Sequence, residues 1–162
     1  MNIGFYLLEV SGQDQRHKTI LNSINELCTN RPYDNIVLFN SQFNAVDIDH
    51  KYYMLHISHA KYFDGLLFVF DLKSALLTKT FPAPKKQILF VEDNDWMKRA
   101  DMPYVLWNSV YNNDDFELVT SNKDMKNLCT ICWKPPIGSV FNFQSKDIET
   151  IIKTIGEKNN NA

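Results

Sequence analysis

A chain of 162 residues with 44% hydrophobic and 22% charged side chains fits one domain, large enough to bury an ordinary core without staples. Its formal net charge of −2 gives no general attraction to nucleic acid or to an anionic membrane, and no apolar run is long enough to cross a bilayer. Three cysteines, an odd number, and an N-terminus without the charged start and cleavage site of a signal peptide predict reduced thiols and a cytoplasmic setting.

Residues 3–10 (IGFYLLEV) form a continuous apolar run, the habit of a central strand buried on both faces. In the helix that follows, Ile20, Ile24 and Leu27 fall at i, i+4 and i+7, with Leu21 and Cys28 widening the stripe. Asp14 is its expected N-cap and Arg31-Pro32 its end. Residues 35–39 (NIVLF) read as a second strand and 52–57 (YYMLHI) as a third, after which Ser58 is expected to cap a brief helix that stops at Asp64-Gly65.

Residues 65–96 hold the clearest unit of the chain. A buried strand (66–70) leads through an Asp-led turn into a helix (71–80), then a proline-punctuated loop and a second buried strand (87–91) closing on Glu92, Asp93, Asn94 and Asp95. Two short apolar runs joined by one helix make a βαβ unit, which lies in a parallel sheet with a right-handed crossover. Pro103 divides residues 96–111 into two short helices.

Residues 116–120 (FELVT) form a sixth strand, and Ser121 caps a helix in which Met125, Leu128 and Cys132 share a face. A short last strand at 137–141 precedes a terminal helix from Ser145 that carries Ile148, Ile151, Ile152 and Ile155. Gly156 is expected to end it, leaving 157–162 as a flexible tail behind a single domain over 1–156. The alternation predicts an α/β domain: a mostly parallel sheet of about six to seven strands with helices on both faces.

Several familiar sites are missing their residues. The turn after the first strand, EVSGQDQRH, is neither GxGxxG nor a phosphate-cradling GxxxxGK[ST], and no GxSxG elbow occurs. His56 and His59 lack a third ligand and read as packing residues, so no metal is assigned; Cys129 and Cys132 have CxxC spacing but sit inside a helical pattern and read as structural. Glu9 stands alone where a phospho-acceptor site would need an acidic pair.

Ligands of parallel sheets collect beyond the carboxyl ends of the strands, where Glu9, Ser11, Gly12, His17, His56, Ser58, Asp71, Glu92, Asp93 and Asp95 are expected to stand. Each also has a plainer role. Asp71 and Ser58 serve equally as helix caps, His17 as an exposed residue beside Arg16, and the acidic run as a solvated loop or as a binder of a sugar hydroxyl or a cation. Arg16, Lys18, Lys73, Lys79, Lys85 and Lys86 form either a basic face for phosphate or nucleic acid or, as the reading favours, a scatter over surface helices.

The run FDGLLFVFDLKSALLTKTFPAPKKQILFVEDNDW, preceded by LHISHAKYF and followed by FELVTSNKDMKNLCTICWKPPIGSVFNF, resembles the N-terminal half of GT-B-type glycosyltransferases carried by tailed bacteriophages. The SGQDQRH turn looks like that family's first cleft loop. The resemblance spans nearly the whole chain on loose motifs, and implies a Rossmann-like domain with its cleft at the strand carboxyl ends and a place in the host cytoplasm. It makes this chain the acceptor-side half of a sugar-transfer enzyme, acting on a phage DNA base or another hydroxyl. By motif position it implies His17 as catalytic base with Asp71 as its acidic companion, and Gly12 as the point where backbone approaches a ligand. The residues expected to bind substrate on that rim, from their strand-end positions and basic character, are Ser11, Gly12, Arg16, Ser58, Lys73, Glu92, Asp93 and Asp95. A nucleotide-sugar donor would sit mainly in a second domain, so completion of the site calls for a donor-domain protein or a homo-oligomer. The alternative is a Rossmann-like binding or interaction module without transferase activity.

Overall fold

The computed structural model describes residues 1–11, 13–42, 49–93, 102–140 and 143–160. Its strands are β1 (Asn2–Leu7), β2 (Asn35–Asn40), β3 (Tyr53–His56), β4 (Leu66–Val69), β5 (Lys86–Val91), β6 (Phe116–Thr120) and β7 (Gly138–Ser139). Between and after them run α1 (Gln15–Asn30), a 3-10 helix (Ile57–Tyr62), α2 (Leu72–Thr78), α3 (Tyr104–Tyr111), α4 (Lys123–Cys132) and α5 (Ser145–Asn160). The seven strands pair parallel throughout, in the order β3-β2-β1-β4-β5-β6-β7. This is a Rossmann-like α/β fold, and the order in which its strands are added reverses between β1 and β4, the switch point of such sheets.

The central strands carry unbroken apolar runs because both faces of the sheet are covered. On one face Phe5, Leu38, Phe68, Ile88 and Phe90 meet the Ile20, Ile24 and Leu27 stripe of α1 and the Ile148, Ile151, Ile152 and Ile155 stripe of α5. On the other, Phe39, Leu67, Val69, Leu89 and Leu118 meet Ala60 of the 3-10 helix, Ala75 of α2, Val110 of α3 and Met125 and Cys129 of α4. Right-handed crossovers running in opposite directions from the switch point place α1 and α2 on opposite faces. Trp107 and Trp133 pack against this second core, with Trp133 stacked on Tyr111 at 4.5 Å between ring centroids.

Several boundaries differ from the sequence reading. β1 stops at Leu7, where its neighbour β2 ends in register at Asn40. Gly156 does not end α5, which runs on to Asn160 and takes in much of the expected tail; no described glycine adopts the left-handed conformation that a terminating glycine uses. Ser58 and Ser121 are not the caps. His56 accepts from the Ser58 N–H at the 3-10 helix, and Asn122 accepts from the Met125 N–H at α4, one residue beyond the expected start. The buried face of α4 joins Met125 to Cys129, while Cys132 is exposed in the last turn. Burial pushes the Cys129 thiol up to about 11, helped by Cys132, so it is a packing group and not a thiolate nucleophile. The first of the two helices expected across 96–111 falls on residues outside the described ones.

Candidate functional site at the carboxyl edge

Arg16 organises the described part of this edge. Asp14 caps α1 by accepting from the N–H groups of Arg16 (2.8 Å) and His17 (3.4 Å), which fixes the first turn beside the switch point. From there the Arg16 guanidinium reaches across the strand tips. It donates to the Phe70 carbonyl just past β4 (2.9 Å) and pairs through Nε with Glu92 Oε2 just past β5 (2.6 Å). Both partners are substantially exposed, so the pair is worth little as stability, about 0–1 kcal/mol. Its consequence is geometric: one side chain bridges the ends of two strands.

Two cavities flank this bridge, and Arg16, Phe90 and Glu92 line both. The larger, about 410 Å³, adds Gln15, Thr19 and Ile20 from α1, Ser121 and Asn122 at the start of α4, and Phe143 ahead of α5. The smaller, about 290 Å³, adds Asp71 and Lys73 at α2, Asp93, and the strand ends Leu89 and Val91. Ser121 Oγ donates to the Glu92 carbonyl at 2.6 Å, so the β5 and β6 tips are tied together at the boundary of the two spaces. Phe143 is the described non-glycine residue in the left-handed region, at φ 48°. That backbone conformation is costly for a bulky side chain, and packing compensates it: the ring lies edge-on to Phe70 at 4.8 Å and close to Phe90 at 5.4 Å.

The structure brings Arg16, Asp71, Lys73, Glu92 and Asp93 together around the smaller cavity. Within it Asp71 is already committed. One carboxylate oxygen accepts from the Ser74 N–H at 2.8 Å and the other from Ser74 Oγ at 2.7 Å, which is the N-cap of α2. Buried Tyr6 lies near enough that, after its own burial, the Asp71 charge also raises the phenol pKa. Asp71→Ala is therefore expected to cost about 1–2 kcal/mol as a lost cap, read as a lower urea midpoint with or without any ligand present.

His17 Nδ1 accepts from the Ser11 N–H at 3.1 Å, and Asp14 Oδ2 lies 3.7 Å from the same nitrogen. These contacts engage the Nδ1 side of the ring in the turn after β1. His17 holds that turn together with Ser11, whose carbonyl accepts from the Asp14 N–H. Ser58 lies beyond β3 at the sheet edge, bonded to His56 Nδ1 at 2.9 Å and three strands from β4. Gly12 and Asp95 lie outside the described residues.

Five of the six cations do not form one face. Lys85 and Lys86 stand at the amino edge, paired with Asp64 and Glu117, and Lys79 donates to Ser109 Oγ; Arg16 and Lys73 stand at the carboxyl edge. Among the described residues no group of three or more metal-ligating side chains comes together, and no helix is long and apolar enough to cross a membrane.

Sequence reasoning missed Ser121, Asn122 and Phe143. Ser121 and Asn122 follow β6 as Asp71 follows β4, so the carboxyl-end rule applied to the sixth strand would have found them. Phe143 reaches the cavity from the far end of the chain, and nothing in its local sequence marks it. No protein-family model matches the chain, and neither a curated protein nor a solved structure matches it.

Proposed function

We propose that this chain is a Rossmann-like ligand-binding domain whose carboxyl-edge cleft receives a small polar molecule, with nucleotide-sugars as the first class to test. The observation that carries the reading is the placement of the Arg16–Glu92 bridge. It stands at the tips of β4 and β5, beside the switch point, with a cavity on either side. The larger cavity combines aromatic and aliphatic floor with amide and hydroxyl groups, and its two charges compensate each other. Such a lining suits a sugar or nucleoside moiety better than a free anion.

Sugar transfer is the catalytic form of this reading, with the chain as acceptor-side half and a donor-domain protein or second copy completing the site. The open cleft supports it. His17 Nδ1 and the Asp71 oxygens already accept hydrogen bonds from the turns they hold, so binding by this chain is tested first and transfer, with His17 as base and Asp71 as its companion, second.

Melting the protein against uridine- and other nucleotide-sugars, free sugars and nucleosides tests the reading. A ligand at a hundred times its dissociation constant stabilises the native state by about 2.7 kcal/mol, roughly 5–10 °C for a domain of this size. Arg16→Ala is expected to weaken binding about tenfold or more while leaving the unliganded melting temperature nearly unchanged, because the ion pair it removes is exposed. If no member of the panel shifts the transition, the ligand-binding reading is wrong; a shift without hydrolysis or transfer supports the binding form over the catalytic one.

A further inference from the structure

We propose that Glu92 sets the charge of ligand this cleft accepts: by occupying Arg16 it turns away phosphate esters and leaves neutral sugars and nucleosides as the favoured ligands. This role rests on the ligand-binding reading above and narrows its substrate class. Nε and Nη2 of an arginine form the side-on fork that grips a phosphate or carboxylate through two parallel bonds. In Arg16 that fork is divided: Nε pairs with Glu92 Oε2 at 2.6 Å, and Nη2 donates to the Phe70 carbonyl at 2.9 Å. An incoming phosphate must displace Glu92 or settle beside its negative charge. A hydroxyl or a base edge needs neither.

The fold places the two partners independently. Asp14 accepts from the Arg16 N–H and fixes the first turn of α1. On the other side, the Ser121 N–H donates to the Val91 carbonyl at 3.2 Å and Ser121 Oγ to the Glu92 carbonyl at 2.6 Å, which holds the backbone beneath the carboxylate. Both side chains are substantially exposed, so their pairing adds little to stability, and its effect falls on what approaches from solvent. Glu92 lines both cavities, so one carboxylate screens each. Asp71, Lys73 and Asp93 bring further charges to the smaller cavity. These stay the same in Glu92→Gln, which keeps the size of the side chain and removes its charge, so that variant isolates the effect.

Isothermal titration of the full chain, comparing uridine with uridine monophosphate and glucose with its phosphate ester, tests this. The native protein is expected to bind the neutral member of at least one pair more tightly. In Glu92→Gln the phosphate ester of that pair is expected to gain about tenfold, the size of one like-charge contact a few ångströms away near a protein surface, while the neutral member changes by less than about twofold. Adding Arg16→Ala is expected to abolish the gain, which a merely structural role for Glu92 would not produce. Circular dichroism checks folding, and Glu92→Ala repeats the comparison should the glutamine variant misfold. An unchanged preference in the Glu92 variant overturns this inference and leaves the ligand-binding reading standing, as does a native protein that favours the phosphate ester in both pairs. No binding by any of the four to either protein overturns it too, and the nucleotide-sugar panel then decides the broader reading separately.

Discussion

Replacing Phe68 with alanine is expected to lower the unfolding free energy by about 3–5 kcal/mol. Phe68 is 1% exposed at the middle of β4, in register between Phe5 of β1 and Ile88 of β5. Its ring stacks on Phe5 with centroids 5.1 Å apart and meets Phe143 edge-on at 6.4 Å. Truncation removes the transfer free energy of the ring, an aromatic pair worth about 0.5–1.5 kcal/mol, and support for strained Phe143, and leaves a cavity at the switch point. Against a total stability of about 5–15 kcal/mol, that loss removes a large share of the folded population. Urea denaturation monitored by circular dichroism measures it; a cost under about 1 kcal/mol would mean that this side of the sheet is not packed as described.

Gly65→Ala is expected to cost about 1–3 kcal/mol or more, for the opposite reason. Gly65 precedes β4 where β1 begins, and an added Cβ would lie 2.4 Å from the Asn2 carbonyl oxygen and 2.7 Å from Asn2 Cβ. The obstructing oxygen belongs to the backbone, so it cannot swing away as a side chain can. Asn2 is further fixed by donating through Nδ2 to the Asp64 carbonyl at 2.8 Å, and the Gly65 carbonyl accepts from the Lys85 N–H at 2.9 Å. Relief requires parting β1 from β4 at their amino ends. A fall in urea midpoint at unchanged slope is the expected signature, and an alanine variant as stable as the native protein would contradict the close approach.

Both substitutions fall in the part of the molecule that was legible in the sequence. Strands buried on two faces must be apolar throughout, so β1, β2, β4, β5 and β6 stand out as short runs between turn residues. Helices with one buried stripe announce themselves at α1 and α5. Legibility falls at element ends, where the deciding contact is one side chain. His56 and not Ser58 caps the 3-10 helix, and Asn122 and not Ser121 caps α4, where Ser121 bonds instead to the Glu92 carbonyl just past the neighbouring strand β5. Gly156 could stay helical because Ile155 beside it is buried in the core and holds the last turns down.

The site was half legible for a related reason. The carboxyl-end rule located Asp71, Glu92 and Asp93 on one cavity, since it depends only on strand direction, while Arg16 and Lys73, which line it too, were read as basic side chains of the surface helices. Which atoms remain free there depends on local bonding. Asp71 spends its two oxygens on Ser74, and His17 spends Nδ1 on Ser11, so residues of suitable type and position are occupied with holding turns. The larger cavity draws on Ser121, Asn122 and Phe143, which reach α1 only through the strand order.

The central claim is that ligand enters beside the Arg16–Glu92 bridge. Titrating isotopically labelled protein with a uridine diphosphate sugar, then with the free sugar and the nucleoside, and following the backbone amide resonances tests it most directly. The account predicts saturable shifts concentrated at Arg16, Glu92, Ser121 and Asn122 for at least one of these ligands, lost in Arg16→Ala. Saturable shifts centred at the amino edge of the sheet around Gly65 and Lys86, or no shifts with any of them, would contradict it.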